Sequence, residues 1–153
     1  MLVTVDIGNT NITIGIFDKD ELIGTYRLTT KVRRTSDEYG FMLKNFLDRS
    51  NVHEKQIEAV IVSSVVPKVM HSFTNGIKKF VGIEPLIVGP GIKSGISVQL
   101  ENPRNVGADR IADCAGAFSE HGGPILVADF GTATTYDYVD ENGCFKAGAI
   151  GVG

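Results

Sequence analysis

The sequence holds little of several residue types that would point directly to a function. Of its 153 residues only two are cysteine, Cys114 and Cys144. They are too few and too far apart for a metal-ligand cluster or a disulfide framework. Both are expected as small buried or half-buried residues in a reducing compartment. His53, His71 and His121 stand apart from each other and from other candidate ligands, and are expected at the surface or in packing. No basic run is longer than Arg33-Arg34 and the formal net charge is -3, which gives no support to nucleic-acid binding. No apolar stretch approaches the roughly 20 residues of a membrane span. The N-terminus reads as a core strand rather than a charged region followed by an apolar one, so no membrane partner is expected and the cytoplasm is the expected compartment. A Gly-x-x-x-x-Gly-Lys-Ser/Thr segment is missing, which excludes a P-loop enzyme.

What is present is a soluble globular composition, 42% hydrophobic and 22% charged, organised around Val3 to Phe17. Val3, Val5 and Ile7 alternate with Thr4 and Asp6, and Ile12, Ile14 and Ile16 with Thr13 and Gly15, the period of two expected of paired strands. The link Gly8-Asn9-Thr10 offers main-chain N–H groups, a carboxamide and a hydroxyl beside the carboxylate of Asp6. That chemistry suits a phosphate with a cation. A Gly-Asn link is also an ordinary hairpin turn. The repeat argues for more: Ile125 to Thr135 has the same order of apolar strand, Asp129, apolar residue, Gly131 and polar turn. Each copy is followed by a second strand and a hairpin, at Asp18 to Glu21 and at Glu141 to Gly143. Two such units facing one another would line one cleft with two carboxylates and two hydroxyl-bearing turns.

Between the copies, Glu21 to Arg27 predicts a third strand. Thr35 and Glu38 predict a capping box for a helix whose core face is Tyr39, Met42, Leu43, Phe46 and Leu47. Ile57 to Ser63 predicts a buried strand running into Ser63-Ser64-Val65-Val66-Pro67. That serine pair either binds a ligand at a strand end or caps the next helix, with Pro67 in its first turn. The helix carries Val69, Met70, Phe73, Ile77 and Phe80, and Gly82 is expected to end it. Pro85 to Val88 predicts another strand, and Gly89 to Ile96 a loop that either admits a ligand or is a mobile connection. A third helix is expected from about Ala108, buried along Ile111, Ala112, Ala115 and Phe118 and stopped at Gly122-Gly123. Asp109 in its first turn complements the helix dipole. With Arg110 it also forms a pair suited to accept a proton and clamp an anion.

The order of elements predicts an α/β fold built by duplication: a first domain over 1–122, and over 123–153 the start of a second that holds its meander and none of its helices.

With Asp6-Ile7-Gly8-Asn9-Thr10, Gly107-Ala108-Asp109-Arg110 and Asp129-Phe130-Gly131-Thr132-Ala133-Thr134-Thr135 in this order and spacing, the chain resembles the type III pantothenate kinase family. The resemblance implies a duplicated ribonuclease H-like fold of the sugar kinase, Hsp70 and actin superfamily. It implies ATP-dependent phosphorylation of pantothenate to 4'-phosphopantothenate, the first step of coenzyme A biosynthesis, by a cytoplasmic homodimer. Carried onto matching positions, it makes Asp6, Ile7, Gly8, Asn9, Thr10, Asn11, Ile12 and Thr13 the first phosphate loop, with Asp6 near magnesium, and places Thr132 in the second loop. Gly107, Ala108, Asp109 and Arg110 match the pantothenate site, with Asp109 as proton acceptor. Asp129 matches the ligand of a monovalent cation, potassium or ammonium. The chain departs from the family pattern at Leu100, where many relatives carry an aromatic residue, and at Ala147 and Val152 in the final glycine-rich run. The competing reading is a nucleotide-sensing regulator or assembly protein on the same scaffold, which would need no Asp109-Arg110 pair.

Overall fold

The computed structural model describes residues Met1–Gly153, which form two compact units, Met1–Ile87 and Val88–Gly153. The first unit is a five-stranded sheet in the order β3-β2-β1-β4-β5. Strands β1 (Leu2–Ile7), β2 (Asn11–Asp18) and β3 (Glu21–Thr29) form an antiparallel meander. Strands β4 (Ala59–Ser64) and β5 (Leu86–Ile87) then add in parallel. The alternation in the sequence becomes a core because the register aligns it. Val3 pairs with Ile16, Val5 with Ile14 and Ile7 with Ile12, all on one face, and these six residues are 0 to 2% exposed. Full burial of such a side chain contributes about 1.5–3 kcal/mol, so this face dominates the stability of the unit.

Helices α1 (Ser36–Arg49) and α2 (Pro67–Val81) supply the other half of that core through Tyr39, Leu43, Leu47, Phe73 and Ile77. Thr35 and Glu38 form the expected capping box, with the Glu38 carboxylate accepting from the Thr35 main chain at 2.7 Å. That bond holds the Glu38 carboxyl below its usual range. Gly82 ends α2 in the left-handed conformation (φ 77°), as expected. The two helices approach closely at glycine: a Cβ on Gly76 would lie 2.7 Å from the Ser36 carbonyl oxygen.

The second unit is a four-stranded sheet in the order β6-β9-β8-β7. Strands β7 (Ile125–Phe130), β8 (Ala133–Val139) and β9 (Cys144–Val152) form the second antiparallel meander. The short strand β6 (Ser97–Val98), which was not expected, pairs in parallel with β9. Helix α3 (Ala108–His121) packs on this sheet, its buried residues being Ala108, Ile111 and Cys114. The compact units therefore divide at 87/88, whereas the repeat in the sequence divides at 122/123. The physical reason is that α3 precedes the second meander in the chain but buries its apolar stripe against β7 and β8. Within the Gly89 to Ile96 loop, Gly91 and Gly95 have positive φ, so their glycines are required by the backbone.

Candidate phosphate and acceptor sites

In the first unit the candidate loop is the β1–β2 turn. Gly8 N–H donates to the Asn11 carbonyl at 2.9 Å, closing the turn. Thr30, which sequence reading had not singled out, braces it from the end of β3. Its hydroxyl donates to the Gly8 carbonyl at 2.8 Å and its N–H to the Thr10 carbonyl at 3.0 Å. The turn is thus held by main-chain and Thr30 contacts, while the side chains of Asn9, Thr10 and Asn11 are exposed. Ile7 and Ile12 are fully buried, so in this loop they can meet a ligand only through their main chain.

Asp6 pairs with Thr13 on β2 and with Ser63 on β4. Residues in register share a face, so Thr13, Asp6 and Ser63 form a row across three strands on the face away from Val5 and Ile7. Ser63 is 7% exposed, and its hydroxyl has no hydrogen-bond partner in the chain. A buried hydroxyl left unpaired is costly, and its place at a strand end beside Asp6 favours the ligand reading of this residue. Ser64 instead accepts from the Val66 N–H at 3.0 Å. Val66 is the N-cap of α2 and no side chain caps that helix, so neither serine is a helix cap.

In the second unit the β7–β8 turn repeats the pattern with one residue fewer. Asp129 pairs with Thr135 as Asp6 pairs with Thr13, and the Gly131 N–H donates to the Ala133 carbonyl at 3.1 Å. Asp129, Gly131 and Thr132 are exposed at the end of β7. No group of three or more His, Cys, Asp or Glu side chains comes together to hold a metal ion. A hard cation at Asp6 or Asp129 would therefore draw its remaining oxygen ligands from phosphate and water, a common arrangement for magnesium.

The start of α3 carries the other candidate residues. Gly107 is the N-cap and contributes no side chain, and the Asp109 carboxylate accepts from the Arg110 N–H at 2.8 Å. That bond fits the dipole reading of Asp109. Arg110 is committed to a partner missed in the sequence. Its Nε donates to both carboxylate oxygens of Asp137, at 3.0 and 3.1 Å, and its Nη2 donates to Oδ1. The hydrogen bond that Arg110 donates to Asp137 is the main cause that raises the Arg110 pKa above its ordinary value. Cys114 lies nearby with its side chain fully buried, and burial pushes its thiol up to about 12. At neutral pH it is a protonated packing residue. Asp137 was legible in principle. It falls between Thr135 and Val139 on the inward face of β8, and an acidic residue at an inward strand position needs a cation to pair with.

Comparison with known proteins agrees with these observations. The family model described as type III pantothenate kinase matches residues 2–153. A type III pantothenate kinase of Bifidobacterium animalis subsp. lactis is 55% identical over all of this chain and 61% of the relative. One of Agathobacter rectalis is 52% identical over 59% of its length, and one of Listeria welshimeri 46% over 59%. The chain thus spans about three fifths of the length of these curated relatives. Among solved structures, a reductive activator for corrinoid, iron-sulfur protein aligns at TM-score 0.57 and 13% identity, over 92% of this chain and 29% of its own. A putative 2-dehydro-3-deoxygalactonokinase from Sinorhizobium meliloti aligns at TM-score 0.55 and 11% identity, over 98% and 53%. These likenesses show the fold alone, an α/β fold of the duplicated ribonuclease H-like, actin-like ATPase type. The family match, the relatives and the three motifs agree: the chain belongs to the type III pantothenate kinase family.

Proposed function

We propose that residues 1–153 carry the phosphate-binding and acceptor-binding parts of an enzyme that phosphorylates pantothenate with ATP, yielding 4'-phosphopantothenate for coenzyme A biosynthesis. The observation that carries this reading is the repeated hairpin: each copy places an aspartate one residue before the end of a strand, sets a threonine opposite it and closes a glycine-containing turn beside it. On this reading Asp6, Ile7, Gly8, Asn9, Thr10, Asn11, Ile12 and Thr13 form the first phosphate loop, and Thr132 belongs to the second. Gly107, Ala108, Asp109 and Arg110 receive pantothenate. We take 1–122 and 123–153 as the two repeats, the second incomplete over these residues, and the whole protein as a cytoplasmic homodimer. No helix is long and apolar enough to cross a membrane.

Phosphoryl transfer needs positioning and charge compensation more than covalent chemistry from the protein. The primary hydroxyl of pantothenate attacks the γ-phosphorus, the bond from that phosphorus to the bridging oxygen of ADP breaks, and Asp109 takes the hydroxyl proton. Main-chain N–H groups of the two turns and the hydroxyls of Thr10 and Thr132 bind phosphate oxygens. Both carboxylates suit hard cations: Asp6 would hold magnesium and Asp129 potassium or ammonium, and these ions supply the charge that lets a triphosphate lie beside two carboxylates. The bond from Arg110 N–H to Asp109 favours a second reading, in which Asp109 only completes a helix start and the protein is a nucleotide-sensing regulator.

One assay separates the two: ADP release by the full-length protein in potassium buffer, with and without pantothenate. Release that requires pantothenate supports the kinase. ADP release that pantothenate does not change would sink it.

A further inference from the structure

The Arg110–Asp137 pair is more elaborate than an ion pair needs to be. Asp137 is 1% exposed and Arg110 13%, so what solvent reaches of the pair is almost all on the arginine side chain. Three residues on two strands fix its guanidinium. From β8, Asp137 takes Nε and Nη2 in a fork that sets the plane of the guanidinium. From β9, the Phe145 ring lies 5.7 Å from Cζ. Also on β9 and paired directly with Asp137, Gly148 leaves the space that the pair fills, since a Cβ there would overlap both Arg110 Nη2 and Asp137 Oδ1. The Nη1 group takes no part in the fork. A buried ion pair is a poor device for stability, because the desolvation of both charges offsets most of their attraction, and an apolar pair of similar volume commonly does as well. What the fork, the ring and the glycine achieve together is one orientation of one guanidinium, on the residue next to Asp109.

We propose that Asp137 is a positioning residue of the acceptor site: it holds Arg110 so that Nη1 is presented to an anionic acceptor, with Gly148 providing the room. The proposal rests on the acceptor-site reading of Gly107 to Arg110 given above. It adds a residue 27 positions away in the chain, and it explains why a carboxylate lies buried in β8. The alternative is a strut that only ties α3 to the sheet. A strut would affect folding, whereas a positioning residue affects acceptor affinity in protein that is fully folded.

The test uses the full-length protein and reads kcat and the KM values for pantothenate and ATP, with thermal melts to establish folding. Asp137→Asn keeps the shape and one acceptor oxygen but removes the charge. It is expected to raise KM for pantothenate about tenfold or more, with kcat changed less and KM for ATP little altered. Gly148→Ala removes neither charge and displaces only the ends of two side chains, so it keeps the test open should Asp137→Asn fold poorly. It is expected to raise the same KM. Because Asp137 acts through Arg110, adding Asp137→Asn to Arg110→Ala should raise KM no further than Arg110→Ala alone. If Arg110→Ala raises KM while folded Asp137→Asn and Gly148→Ala do not, the positioning role is overturned and the acceptor site stands. If Arg110→Ala leaves KM for pantothenate unchanged, the acceptor role of Arg110 fails and the proposal with it.

Discussion

Asp109 is the residue for which two chemistries give different outcomes. Its carboxylate accepts from the Arg110 N–H at the start of α3, which is what a helix-start role requires, and asparagine in its place would still accept that bond. If this were its whole role, Asp109→Asn would cost at most about 1 kcal/mol of stability and leave turnover nearly unchanged. As proton acceptor for the pantothenate hydroxyl it must be charged, and a positioned general base contributes about 100-fold to 10,000-fold. In the full-length protein we therefore expect Asp109→Asn to lower kcat by at least about 100-fold with little effect on KM for ATP. A folded variant with near-normal kcat would return Asp109 to its structural role. Ser63 presents the opposite balance. Its hydroxyl has no hydrogen-bond partner in the chain, so it contributes no bond to the fold, and a ligand beside Asp6 is the partner we propose for it.

Among the elements, the contact between α1 and α2 shows how a single hydrogen in place of a methyl group sets a helix spacing. A Cβ on Gly76 would lie 2.7 Å from the Ser36 carbonyl oxygen and 3.1 Å from the Gly40 nitrogen. Both are main-chain atoms that cannot rotate away. Gly76→Ala gains about 1 kcal/mol in helix propensity, but overpacking a tight contact costs about 1–3 kcal/mol, and with backbone on the receiving side the cost is expected to win. Gly116 in α3 is the matched control, since a Cβ there meets nothing within 4 Å. Urea unfolding should show Gly76→Ala lowering the stability of its unit by about 1 kcal/mol and Gly116→Ala raising that of its own by a similar amount. Equal effects of the two substitutions would show that the helix contact tolerates a methyl group.

For the molecule as a whole, the second meander leaves bare the face that the first covers. Val3, Val5 and Ile7 lie beneath α1 and α2 in the first unit. At the same offset from their aspartate, Leu126 is 65% and Phe130 77% exposed, with Tyr136 and Tyr138 half-exposed on the same face of the sheet. An apolar face of this kind is a liability in water unless something covers it. The relatives' additional length is the natural source of that cover. Residues 1–153 expressed alone are therefore expected to bind a hydrophobic dye such as ANS and to show little pantothenate-dependent ADP release, whereas the full-length protein is expected to release ADP with pantothenate and not to bind the dye. Robust turnover by residues 1–153 without dye binding would contradict this account.

The period-two runs, the Thr35–Glu38 capping box, Gly82 at the end of α2 and the repeated Asp-x-Gly turns were all legible in the amino-acid order. Each rests on chemistry between residues a few positions apart: side-chain alternation along a strand, a side chain reaching its own helix start, a backbone angle that glycine adopts freely. What only the tertiary structure decided are the partnerships across the chain. Asp137 pairs with Arg110, Thr30 braces the turn at Gly8, and β6 joins β9. Helix α3 lies on the second sheet although it precedes it in sequence. Alternation could place Asp137 on the inward face of β8. It could not say which cation would lie there, because that depends on how a helix from elsewhere in the chain packs on the sheet, and on a glycine in the neighbouring strand leaving room for the guanidinium.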